Sequence, residues 1–280
     1  MRLKQLSLIL LSSIHLIACA QDKKTTGEAP KEEIKQVKNT KMENKMKVEI
    51  WSDVVCPFCY IGKRKFETAL AQFSDKNNIE VIWKSYQLMP DMVTNPDKKV
   101  YQLVSEKHGI PLERSKAMHS QMTQTAKELG LVYNFDKAIP ANTLKAHQLI
   151  QYAKTKGKQD QAEETLFRSY LTEGKNIDDV PTLLEIGTKI GLDKMELKMV
   201  LDKGTYISEV QADIYEAQQV GVRGVPFFVL DRKYAISGAQ EPKEILASLQ
   251  KAFVEWRKEN PDSKLEIIHG AACTPDGECH

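Results

Sequence analysis

The folded part of the chain opens on an alternation. Lys47-Val48-Glu49-Ile50-Trp51 sets polar against apolar positions one by one, the period of a strand. Residues 52–55 close it as a loop. Ile61, Phe66, Ala69, Leu70 and Phe73 then recur at helical spacing and predict a helix over 57–73. Pro57 sits at its start, where a missing N–H does no harm. Ile79-Glu80-Val81-Ile82-Trp83-Lys84 returns to a strand. From about 101 to 204 helical patterns follow one another, cut by turn signals at Gly109-Ile110-Pro111, Gly130, Ile139-Pro140, Gly157, Gly174, Val180-Pro181, Gly191 and Gly204. Leu144, Ala146, His147, Ile150 and Tyr152 fit one of these short helices, and Leu166, Phe167, Tyr170 and Leu171 fit the next. A further helix is predicted over 206–220. The apolar run Val225-Pro226-Phe227-Phe228-Val229-Leu230 then reads as a buried strand, and Tyr234-Ala235-Ile236-Ser237 as its hairpin partner. The last helix, 242–258, carries Ile245, Leu246, Leu249, Phe253 and Trp256 on its apolar face. No internal repeat is present.

The two ends differ from this body. Arg2 and Lys4 precede a short apolar run over 6–17, and Leu16-Ile17-Ala18-Cys19 follows. A basic start, a greasy core too short to span a bilayer and a small residue before the break describe an export signal. The four residues ending in Cys19 resemble the lipobox of bacterial lipoproteins. That resemblance implies cleavage after residue 18, lipid on Cys19 and attachment to a bacterial membrane, facing the periplasm or the cell exterior. The alternative is a plain signal peptide with an incidental cysteine. Residues 19–45 are rich in Lys, Glu, Thr and Gln and too poor in apolar side chains to offset the entropy of ordering them, so they read as a tether. Residues 259–280 form a tail holding Cys273 and Cys279.

Composition narrows the class. At 41% hydrophobic and 28% charged the chain is an ordinary globular one, and a net charge of +2 without a basic block argues against a nucleic-acid partner. Five cysteines in 280 residues are too few for a disulfide scaffold, so their placement carries the information. Export would put them where disulfides persist.

Cys56-Pro57-Phe58-Cys59 follows a predicted strand and opens a helix. Unpaired N–H groups at a helix N-terminus favour an anion, so Cys56 is expected to be the more acidic thiol and the nucleophile. Cys59, one turn on, is placed to resolve a mixed disulfide formed at Cys56. Zinc sites and static disulfides use the same spacing and stay open as alternatives, but zinc wants four ligands and only the tail cysteines remain to complete the set. No metal and no bound cofactor is expected, because the dithiol itself is the redox centre.

The element order βαβ, helices, αββα predicts an α/β thioredoxin-like fold: an N-terminal half over 46–100, an all-helical insertion over 101–204 and a C-terminal half over 205–258. In that fold a cis proline faces the CxxC pair, and Gly224-Val225-Pro226-Phe227 before a buried strand occupies its place. The backbone of Val225 could pair with an extended substrate chain. The ring of Pro226 would cover the sulfurs; a simple strand-entry proline is the alternative. Trp51-Ser52-Asp53-Val54-Val55-Cys56-Pro57-Phe58-Cys59-Tyr60-Ile61-Gly62, with Asn142-Thr143, Ala146-His147 and the stretch 221–228, resembles the DsbA family, FrnE-like branch, over residues 46–258. The resemblance implies protein dithiol oxidation or disulfide isomerisation, with thiol- or disulfide-containing proteins as substrates and an unidentified redox partner. Many relatives carry Trp where Phe58 stands, and many are cytoplasmic. The same fold branch holds glutathione-dependent isomerases and transferases, which commonly have serine at the place of Cys56. A lipoprotein that only binds peptides is the non-enzymatic alternative.

Further residues are candidates. Asp53 could relay the proton of the resolving thiol, or could be a turn residue bonding local backbone. His147 could stand over the active-site groove and touch substrate, or pack inside a helix bundle. Phe58 and Tyr60 are expected to give apolar cover, Phe58 on the substrate side. In the tail, Pro275, Asp276 and Gly277 let Cys273 and Cys279 meet across a short loop. The FrnE-like resemblance suggests that this pair trades disulfides with the first; a static clip is the alternative. His269 and His280 keep adventitious metal binding open there.

Overall fold

The computed structural model describes residues 44–261. The signal, Cys19 and the tail pair Cys273 and Cys279 lie outside them.

β1 (Met46–Ser52) and β2 (Ile79–Ser85) run parallel, Met46 opposite Ile79 and Ser52 opposite Ser85. Parallel neighbours need a crossover, and α1 (Pro57–Gln72) provides it. β3 (Phe227–Leu230) pairs antiparallel on the other side of β1, and β4 (Tyr234–Ser237) turns back on β3, giving the order β2-β1-β3-β4. The ladder starts at Phe227 rather than at Val225, where the apolar run begins. Pro226 has no N–H to donate and its bond to Val225 is cis, so the two residues stand outside the sheet.

β1 is covered on both faces, although its alternation predicts one wet face. Met46, Val48 and Ile50 meet Phe66 and Ala69 of α1 and Ile245, Leu249 and Phe253 of α9 (Pro242–Glu259). On the reverse face Trp51 packs with Ala217 of α8 (Ile207–Gln219), Phe227 and Val229. Glu49, also on that face, is buried and ion-paired to Arg232 of the hairpin turn.

Six helices stand between β2 and α8: α2 (Val100–His108), α3 (Leu112–Glu128), α4 (Leu144–Thr155), α5 (Gln159–Phe167), α6 (Val180–Lys189) and α7 (Lys194–Lys203). A π-helical turn, Arg168–Thr172, extends α5. Gly109 and Gly204 end α2 and α7 in left-handed backbone, at φ 62° and 64°. α4 is the axis of this bundle, with Ala146 through Ala153 all buried. One buried carboxylate joins it to the sheet: Asp213 of α8 accepts from Lys84 Nζ at 2.6 Å, Ser85 N–H at 2.9 Å and Gln151 Nε2 at 2.6 Å. Each lone pair engaged this way offsets the cost of burying the charge. Among the described residues no helix is long and apolar enough to cross a membrane.

Candidate active site

β1 delivers the chain to the site and α1 takes it away. After Ser52 the Cys56 N–H donates to Asp53 O at 2.9 Å, and the turn so formed leaves Cys56 as the N-cap of α1. Cys56 has extended backbone, φ −84° and ψ 113°, and Pro57 is the first helical residue. No acidic side chain lies in the first turn, so nothing there opposes the positive end of the helix. Cys56 and Cys59 are both free thiols. The Cys56 thiol donates to Val225 O at 3.5 Å across the cis Val225–Pro226 bond. Two further contacts hold the arrangement. Tyr133 Oη donates to Pro57 O at 2.6 Å. Gly62 of α1 lies so close to Pro226 that a Cβ there would meet its Cγ at 2.7 Å, so only glycine lets helix and proline approach.

The two sulfurs see different surroundings. Cys56 lines a cavity of about 480 Å³ between the start of α1, the loop after β2, α2 and α3. Leu88, Met89, Leu103, Met118 and Met122 give this cavity an apolar wall, and Lys107, His108 and His119 are its basic side chains. Cys59 is 1% exposed and lies behind it. Burial pushes the Cys59 thiol well above the usual thiol range, and a charge on Cys56 would push it further; the Asp53 backbone and the Ser52 hydroxyl act the other way.

Comparison with known proteins bears on the domain that carries this pair. The family model of the DSBA-like thioredoxin domain matches residues 47–250. The chain belongs to that family. Its structure is similar to that of a "probable DsbA oxidoreductase" from Streptomyces coelicolor, with a TM-score of 0.71 and 35% identity over 84% of this chain and 98% of that one. It is 27% identical over 191 residues to YwbO, an uncharacterized protein of Bacillus subtilis, covering 65% of this chain and 86% of the relative. A solved 2-hydroxychromene-2-carboxylate isomerase superposes with a TM-score of 0.51 at 17% identity, over 78% of this chain and 100% of that one, a likeness of fold alone.

Within this DSBA-like domain the other candidates fall on both sides of the pair. Phe58, 47% exposed, and Val225 line the cavity beside Cys56. Tyr60 turns inward, stacking on Phe167 with ring centroids 5.0 Å apart and donating to Glu164 Oε1 at 2.6 Å, which ties α1 to α5. His147 does not stand over the groove. It is completely buried on α4 and is not among the residues that line the cavity, and its Nε2 lies 3.4 Å from Asp53 Oδ1. The reason is that α4 is enclosed on all sides, which one helix's own periodicity does not reveal. Asp53 is fully buried, and its Oδ2 accepts from Leu88 N–H at 2.8 Å, pinning the loop that carries the cavity wall.

Sequence reasoning missed that wall. Met118 and Met122 are one helical turn apart and Met118 is 45% exposed, but methionines at that spacing read equally well as core. Tyr133 and Gly62 carried no local signal, because each acts through a partner distant in the chain.

Proposed function

We propose that this protein is a thiol–disulfide oxidoreductase of protein substrates, with Cys56 as nucleophile and Cys59 as resolving thiol. One observation carries the reading: Cys56 caps a helix N-terminus and opens into an apolar cavity under the Val225–Pro226 cis bond, while Cys59 sits one turn behind it, shielded from that cavity. In the oxidised state a substrate thiolate attacks Cys56 Sγ, the Cys56–Cys59 bond breaks and a mixed disulfide forms. A second substrate thiol then attacks its partner sulfur, releasing oxidised substrate and the Cys56 thiolate. Run in reverse, the same steps reduce or shuffle disulfides. The dithiol is the redox centre, and the cycle uses no bound cofactor.

The cavity suits unfolded segments. Its mobile Met and Leu side chains adapt to varied apolar groups. The Val225 backbone offers an edge for an extended chain, and Phe58 gives that chain an apolar face. In the exported protein a lipid on Cys19 holds the domain at a bacterial membrane, and the FrnE-like tail pair Cys273 and Cys279 passes disulfides to or from Cys56.

Trapping tests this. Cys59→Ser should accumulate mixed disulfides between Cys56 and reduced protein substrates, visible by mass spectrometry, and with Cys56 also replaced by Ser they should vanish. Wild-type protein should catalyse insulin reduction or the oxidative refolding of a reduced ribonuclease; a peptide binder would do neither. The reduction potential of the pair then sets direction: about −120 mV marks a donor of disulfides and about −270 mV a reductant.

A further inference from the structure

The cavity in front of Cys56 has a charge of one sign. The chain holds 38 Asp and Glu residues, yet among the described residues none of them lines this cavity. Its walls are hydrocarbon, and its ionisable side chains besides Cys56 and Tyr170 are basic: Lys107, His108 and His119. Lys107 and His108 are exposed, so they stand at the rim, in the last turn of α2. Cations are favoured there by the negative end of the helix dipole, which alone would explain their type. Their partners, and the setting of His119, carry the matter further.

Lys107 is not used inside the molecule. Among the described residues its ammonium makes no ion pair and no hydrogen bond, and the neighbouring acid Glu106 pairs with Lys98 at 2.5 Å instead. His119 of α3 is 7% exposed and fixed from behind. A carbonyl can only accept, so its Nδ1–H donates to Ser115 O at 2.7 Å, and Phe135 meets the ring edge-on with centroids 4.7 Å apart. That settles the tautomer of the neutral ring and leaves Nε2 an acceptor. Nε2 has no partner among the described residues, and it is not one of the enclosed orphan atoms. An apolar hollow with a few convergent polar groups, one held rigid and one left unpaired, has the make-up of a binding site.

We propose that this cavity selects unfolded segments with an acidic side chain close to the reactive cysteine, Lys107 being the residue that reads the acid. The proposal rests on the oxidoreductase reading and names its substrate class. A cavity of about 480 Å³ is about 8 Å across, or two to three residues of extended chain at about 3.3 Å each. A segment joined to Cys56 through its own cysteine thus reaches the rim within about three residues. Its apolar side chains lie against Leu103, Met118 and Met122, and its carboxylate meets the Lys107 ammonium, with His108 beside it. At the rim neither charge loses all its water, so the pair costs little to form. A basic residue at the same place meets a like charge, which rejects it. His119 Nε2 accepts a backbone N–H of the bound segment. The disulfide exchange itself is unchanged.

The test uses full-length oxidised protein, opened in stopped flow by two-cysteine peptides rich in Leu and Phe. The peptides differ at one position, two residues from the first cysteine, which holds Glu, Gln or Lys. Each rate is divided by that peptide's rate with a small-molecule disulfide, which removes the neighbour's effect on the thiol itself. Wild type should favour Glu over Lys about tenfold, with Gln between, through the half-saturating concentration and not the limiting rate. About 0.5 M salt should cut the preference to about twofold. Lys107→Arg should keep it, Lys107→Gln should lose most of it and Lys107→Glu should reverse it. Lys243→Gln on α9, an equal change of net charge outside the cavity, should leave it intact. His119→Phe should raise the half-saturating concentration about threefold for all three peptides alike. Equal normalised rates in wild type, a full preference in Lys107→Gln, or an equal loss in Lys243→Gln overturns the proposal and leaves the oxidoreductase reading standing. A wild-type half-saturating concentration in His119→Phe overturns the part given to His119. Oxidised wild type that no peptide and no reduced protein can open overturns the parent reading instead.

Discussion

The two sides of the dithiol are built to opposite rules. In front of Cys56 the molecule gathers Leu, Met and Phe side chains around an open cavity, with basic groups as its charged members. Away from that cavity it buries a hydroxyl, two carboxyl groups and an imidazole, and leaves several of their atoms without partners. The apolar side suits a partner that varies, since burial of hydrocarbon is not directional and tolerates many shapes. Two sulfurs one helical turn apart are thus set in different environments by what packs around them, not by their own chemistry.

Glu163→Gln should break the polar side with the largest effect on stability. The folded-state pKa of Glu163, about 8, lies above its ordinary value of 4.5. Its contribution to stability is therefore full below the lower value and is lost as pH rises through the upper one, because the native state must then ionise a buried acid. The variant, with nothing to ionise, should lose roughly 4 kcal/mol less than wild type between about pH 4 and about pH 9 in urea melts. Equal pH slopes for the two proteins would place Glu163 in water.

The seam between the sides is sharpened by Gly62→Ala. At an open helical site this change gains stability by about 0.5–1 kcal/mol. Here the new methyl meets Pro226, so a loss of about 1–3 kcal/mol is expected from denaturation curves, together with slower turnover as the proline shifts off the sulfurs. Smallest is the effect on the front wall. Met118→Gln, at a half-exposed position, should leave stability within about 0.5 kcal/mol while raising KM for unfolded substrates a few-fold. An unchanged KM would remove α3 from the substrate surface.

Much of this architecture is legible along the chain. The period-two stretch at 47–51, the helical spacing after Pro57 and the turn glycines of the insertion each coincide with an observed element, because each is set by neighbours within a few residues. The hairpin at Tyr234–Ser237 is of the same kind. The start of β3 was less legible, since an apolar run does not show where ladder bonding begins. The site divides along the same line. Cys56, Cys59, Val225 and Pro226 stand out by type and spacing, whereas His147 reads equally as a groove residue or a packed one until α4 is seen enclosed by its neighbours. Glu163 gives no signal at all: an acid among Gln161, Glu164 and Thr165 looks like part of a wet helix face.

Alone, the amino-acid order determined that two cysteines would meet the beginning of a helix after a strand, with a proline-led strand far downstream, because strand, turn and helix starts are local events. Only the tertiary structure decided which sulfur opens outward, which is enclosed, and that Glu163 is buried at all. Desolvation depends on what every other segment of the chain brings into contact, and no short window of residues contains that information.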